Sequence, residues 1–128
     1  MPVFVLSVPR VEGLITFLYY EEFEGAVRFY EDIMGFEKTV DQGWAKIYRV
    51  AGEAHVGLVD GSRGYHKPSP SKPVMITVVV DDVDAWYRYL RVKGVETLSE
   101  PRDHDEIGIR AFLLEDPEGY VIEIQKFY

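Results

Sequence analysis

The sequence predicts an α+β protein built from two copies of one β-α-β-β unit. Three observations carry this. The stretch "ITFLYYEEFEGAVRFYEDIMGFEKT" from Ile15 is answered, element for element, by "MITVVVDDVDAWYRYLRVKGVET" from Met75. Each copy passes from an apolar strand through an acidic step, Glu21-Glu22 or Asp81-Asp82, into a helical pattern that stops at Gly35 or Gly94. Between the copies lies "GSRGYHKPSPSKP", residues 61–73, whose Pro and Ser content reads as a linker.

Taken in order, the first residues, "MPVFVLSVPRVEG", lack a cationic leader and read as an extra strand from Val3 to Val8. In the first helix Phe23, Val27, Tyr30 and Ile33 fall on one face. In the second, Val83, Trp86 or Tyr87, and Leu90 do the same. Asp82 suits the N-cap of its helix, and Gly35 and Gly94 suit the left-handed residue that ends one. "WAKIYRV" then turns through Ala51-Gly52-Glu53 into "AHVGLV", and "IRAFLLE" turns through Asp116 to Gly119 into "YVIEIQKF". Each unit has room for one more short strand, around 38–41 and 96–98. The units, 13–60 and 74–128, are each too small to bury a good core alone, so they are expected to pack as one domain spanning 1–128.

The chain has 128 residues, 47% of them apolar, and a net charge of −8. That charge disfavours nucleic acid, whose phosphates need Lys and Arg. It is compatible with a cationic ligand, and equally with ordinary solubility. There is no cysteine, so disulfide and thiolate chemistry are excluded, and a reducing compartment, the cytoplasm, is expected. No apolar run approaches the roughly 20 residues that span a bilayer, so no membrane partner is expected.

One residue stands out. Glu123 lies in an apolar strand among Val121, Ile122 and Ile124. It could be a metal ligand, a catalytic base, or a side chain facing water. The segments "AVRFYEDIMGFE" and "GIRAFLLEDPEGYVIEIQKF", with the repeat, resemble the vicinal-oxygen-chelate superfamily over about Gly13 to Phe127. That group includes glyoxalase I, extradiol dioxygenases, fosfomycin-resistance enzymes and bleomycin-resistance proteins. The resemblance implies paired βαβββ modules whose curled mixed sheet encloses a cleft. It also implies four ligand positions in the metal-dependent members, which fall here on Ile15, Gly57, Met75 and Glu123. Only Glu123 offers a hard donor, where a catalytic metal needs about three protein ligands. Neither a metal nor another cofactor is therefore expected.

Strand parity supplies the cleft lining: Ile15, Phe17 and Tyr19; Ala45 and Ile47; His55 and Gly57; Met75, Thr77 and Val79; Ala111 and Leu113; Glu123 and Gln125. The alternate residues Val56, Leu58, Ile76, Val78, Ile122 and Ile124 should pack on the helices. Glu123 and His55 are expected as polar walls of the cavity, hydrogen-bonded to each other; a weak metal on the same pair is the minor alternative. His66 and His104 read as solvated, Trp44 and Tyr48 as core with aromatic gates as the alternative, and Arg110 as either an anion contact or a strand edge.

The function expected is metal-independent binding of a small molecule, similar to the bleomycin-resistance branch, with drug or antibiotic sequestration as one form of it. A cationic or aromatic ligand would suit the acidic chain and Phe17, Tyr19 and Trp44. The alternative is a lyase or dioxygenase with an atypical metal site, or with Glu123 as general base in an apolar cleft. A third reading is an interaction domain whose cleft is vestigial. A homodimer is expected, because relatives of this size complete their clefts across two chains.

Overall fold

The first strand, β1 (Leu14–Tyr20), alternates Leu18 and Tyr20 inward with Phe17 and Tyr19 outward, the period of a pleated strand. The computed structural model describes residues 6–128. After β1 come α1 (Phe23–Arg28), a π-helical turn (Phe29–Ile33), β2 (Glu37–Asp41), β3 (Ala45–Ala51) and β4 (Ala54–Asp60). The second unit contains β5 (Met75–Val79), α2 (Val83–Val92), β6 (Arg102–His104), β7 (Ile109–Glu115) and β8 (Val121–Phe127).

Each unit forms a four-stranded mixed sheet, ordered β1-β4-β3-β2 and β5-β8-β7-β6. The first and last strands of each unit pair in parallel, β1 with β4 and β5 with β8; the other pairs are antiparallel. This is the βαβββ module twice over. One face of each sheet packs on its helix. The core gathers Leu18, Tyr20, Val56 and Leu58 with Phe23, Val27 and Tyr30, and Val78, Ile122 and Ile124 with Val83 and Leu90. The other face, called the open face below, carries the residues of opposite parity.

Asp82 caps α2, accepting from Ala85 N–H at 3.0 Å. That helix ends in a Schellman arrangement, with Val95 N–H donating to Leu90 O at 2.9 Å and Gly94 N–H to Arg91 O at 3.0 Å. Gly94, at φ 82°, takes the left-handed position there. The first helix departs from expectation. Its last turn widens, with Met34 N–H donating to Phe29 O, five residues back, and Phe36 N–H to Tyr30 O. The widened turn sends both Phe29 and Tyr30 into the core and leaves Ile33 half-buried.

Two other expectations are corrected. The edge strand of the second unit is Arg102–His104, while the region of 96–98 makes only a single bridge, Thr97 to Leu114. Of the extra strand at Val3–Val8, the first residues lie outside those described, and Leu6 to Val8 are exposed and have no regular structure.

The units are joined by polar contacts around the Asp116–Gly119 turn. Asp116 is buried and its Oδ2 accepts from Tyr20 OH at 2.5 Å and Tyr30 OH at 2.9 Å. Its Oδ1 accepts from the backbone of Glu118 at 2.9 Å and of Tyr120 at 3.0 Å. The Tyr120 hydroxyl accepts from Tyr19 N–H and donates to Tyr19 O, and Glu118 accepts from the N–H groups of Glu21 and Glu22. Burial, together with the nearby Asp116 charge, raises the hydroxyl pKa of both Tyr20 and Tyr30 far above the ordinary tyrosine range.

Candidate functional site

Register places the open-face residues in rows. In the first unit Phe17, Gly57, Ile47 and Val40 run across the sheet; Ile15, His55 and Arg49 form the row on one side, and Tyr19, Val59 and Ala45 the row on the other. A Cβ at Gly57 would lie 2.3 Å from the Phe17 ring, so the ring lies across this glycine, where a larger residue would exclude it. Phe17 is nonetheless 41% exposed. Ile47 and Ala45 are buried beneath this surface.

The linker is seated on the Tyr19 end of the face. Ser62 bonds to Asp60 Oδ1 through both its N–H (3.0 Å) and its hydroxyl (2.8 Å). These bonds hold the Asp60 carboxyl below the ordinary carboxylate range. A Cβ at Gly64 would meet Val59 Cγ1 at 2.6 Å and the Tyr19 ring at 2.9 Å. His66 then sits edge-on to Tyr19 at 5.2 Å, Tyr65 edge-on to His66 at 4.9 Å, and Arg63 lies over Trp44 at 5.8 Å. His66 is exposed, as expected, but not merely solvated: it walls one end of the face.

In the second unit the rows are Met75, Val121 and Glu115; Thr77, Glu123 and Leu113; and Val79, Gln125, Ala111 and Arg102. Thr77 donates its hydroxyl to Glu123 Oε1 at 3.0 Å. The expected bond between Glu123 and His55 is not formed. His55 Nδ1 lies 3.1 Å from Glu53 O, within its own hairpin, and His55 borders a different depression, about 230 Å³, together with Leu14, Thr16, Met75 and Thr77. Parity correctly put both on open faces, but it carries no information on the distance between sheets.

Glu123 borders a depression of about 210 Å³ with Ser99, Glu100, Arg102, His104, Ala111 and Leu113. Sequence reasoning missed Ser99, Glu100 and Arg102, and it left His104 to solvent. The signal was the alternation Arg102-Asp103-His104, which sends Asp103 to one face and the other two to the opposite one. Arg110 is committed internally, to Asp84 (2.9 Å) and Asp103 (3.1 Å), and those carboxylates raise its pKa further. Tyr48 is core, with its hydroxyl donating to Glu31 at 2.6 Å, as its parity opposite Ile47 requires, whereas Trp44, also expected in the core, precedes β3 and is exposed. A larger depression, about 460 Å³, lies elsewhere, between Pro68–Lys72 and the Glu118 turn. Its Glu118 carboxylate is already engaged by two backbone donors.

The four positions that resemblance assigns to metal ligands hold one carboxylate and no other hard donor. Ile15 and Met75 are exposed apolar side chains, Gly57 lies under a phenyl ring, and Glu123 is bonded to Thr77. Among the described residues no three His, Asp or Glu side chains gather where they could share an ion. This donor set does not fit a divalent metal centre. Nor is any helix among the described residues long and apolar enough to cross a membrane.

Comparison with known proteins bears on the fold and family. The chain is 27% identical over 119 residues to the uncharacterized protein YraH of Bacillus subtilis, covering 85% of this chain and 93% of that one. Among solved structures it is similar to a glyoxalase/bleomycin resistance protein/dioxygenase from Nocardioides, with a TM-score of 0.76 and 21% identity over 95% of this chain and 87% of that one. It is also similar to lactoylglutathione lyase from Agrobacterium tumefaciens, with a TM-score of 0.73 and 19% identity over 93% and 96%. At these identities the structural matches speak for the fold alone. The family model matches residues 13–124, both modules together, and the chain belongs to the glyoxalase/bleomycin resistance protein/dioxygenase superfamily.

Proposed function

We propose that this chain is a metal-independent small-molecule-binding protein, with the ligand held on the open faces of its two sheets. The observation that carries the reading is the pair of contacts at the last-strand positions. In one module a phenyl ring covers Gly57; in the other a threonine holds Glu123. The first is an aromatic platform suited to stacking against a flat ligand. The second is an oriented carboxylate with Oε2 left for a donor on the ligand. Drug or antibiotic sequestration would be one use of such a surface. The cysteine-free sequence suits a reducing compartment, so the proposal places the protein in the cytoplasm.

Native mass spectrometry of the purified protein tests this. The expected result is an organic adduct that survives metal chelation. Glu123→Gln should weaken its retention by about 1.5–3 kcal/mol, the range for a hydrogen bond to a charged group. Phe17→Ala should weaken it through lost stacking. An adduct retained equally by both variants would remove the ligand from this surface.

The reading includes a homodimer. Ile15, Phe17, Met75 and Val79 are all exposed on open faces, and a second copy would cover them.

A further inference from the structure

The open face of the second module carries opposite charges that do not meet. Arg102 and Glu123 border the same depression of about 210 Å³, yet no ion pair joins them. While Arg110 is taken by Asp84 and Asp103, Arg102 pairs with no acid among the described residues. Register explains the separation. Arg102 lies opposite Ala111, Ala111 opposite Gln125, and Gln125 is two residues beyond Glu123 on β8. Two strand spacings and two residues of rise put the Cα atoms of Arg102 and Glu123 about 12 Å apart. Between their strands Ala111 contributes only a methyl group, and Leu113 beside it forms the rest of the floor of the depression.

The charges limit what the depression can hold. Glu123 and Glu100 border the depression against the single guanidinium of Arg102, with His104 beside it. A simple anion would meet two carboxylates, and a simple cation would leave Arg102 unused.

We propose that this depression binds a small zwitterion. Its carboxylate would lie on the Arg102 guanidinium and its ammonium on Glu123 Oε2. Thr77 engages Oε1 and so fixes which Glu123 oxygen faces the ligand. The inference rests on the open face being a ligand site and names the ligand class.

The test is an NMR titration of the full-length protein with β-alanine and 4-aminobutanoate, against butanoate and butylamine as single-ended controls. A zwitterion should shift the amide resonances of β6 and β8 with a dissociation constant at least about tenfold below that of either control, as expected for a second charge-assisted contact. Arg102→Gln and Glu123→Gln should each abolish that advantage while leaving the dispersion of the spectrum intact. Should butylamine bind as tightly as the zwitterions and depend on Glu123 alone, the zwitterion inference fails and the ligand-site reading stands. Retention of the advantage in Arg102→Gln overturns the inference too. If no probe moves any open-face resonance, the inference fails, and the adduct measurement on the purified protein decides the broader reading separately.

Discussion

Phe17 and Gly57 form the sharpest residue-level contact on the open face. Because a Cβ at Gly57 would lie 2.3 Å from the ring, Gly57→Ala must displace Phe17. The expected cost is about 1–3 kcal/mol, the range for overpacking. In the Phe17→Ala background the same substitution should cost much less, since the ring it clashes with is gone. Denaturant unfolding of the two single variants and the double variant measures this coupling. Additive costs would mean that the ring does not lie on Gly57. Such a contact is invisible in the sequence, where Gly57 stood out only as a position that the resemblance assigns to a metal ligand. The bond from Thr77 to Glu123 is similar. Parity put both on one face, but only the register Thr77 opposite Glu123 makes them partners in place of His55.

At the scale of elements, the Asp116–Gly119 turn fastens the second module to the first. Removing the carboxylate in Asp116→Ala would strand the buried hydroxyls of Tyr20 and Tyr30, costing about 3 kcal/mol or more. Chemical denaturation measures this, and a loss below about 1 kcal/mol would contradict it. The same tyrosines set the alkaline behaviour. Their folded pKa values are raised, so their contribution is complete below the unfolded value near 10 and is lost above it. Each should lower the unfolding free energy by about 1.4 kcal/mol per pH unit above pH 10. Tyr20→Phe should flatten the decline by that amount; an unchanged slope would mean that Tyr20 ionises freely in the fold.

What was legible at this scale follows from local pattern. Long alternating strands and a glycine-stopped helix declare themselves by period, so seven-residue strands such as β3, β7 and β8 and the end of α2 were readable. The three charged-rich residues of β6 are too few to show a period. The π-helical turn keeps the composition of a helix and changes only its phase. The linker's seat on Tyr19 depends on how closely Gly64 can approach, which no local pattern encodes.

At the scale of the molecule, each sheet leaves apolar side chains exposed on its open face. Phe17 is 41% and Met75 49% exposed. Faces of this kind commonly mark association or ligand sites. Light scattering at micromolar concentration should therefore give about twice the chain mass of 14.8 kDa. Introducing a charge with Phe17→Glu should shift the protein toward the monomer. A wild-type monomer under those conditions would contradict the dimer.

The claim on which the functional reading turns is that the cleft works without a metal. It is tested most directly by thermal unfolding of chelator-treated protein with and without stoichiometric Zn²⁺, Ni²⁺, Mn²⁺ or Fe²⁺. A ligand that binds the native state must raise its melting temperature by mass action. With Ile15, Gly57 and Met75 at three of the four positions, the expected result is no change with any of these ions. A rise of several degrees that disappears in Glu123→Ala would place a metal on Glu123 and contradict the account.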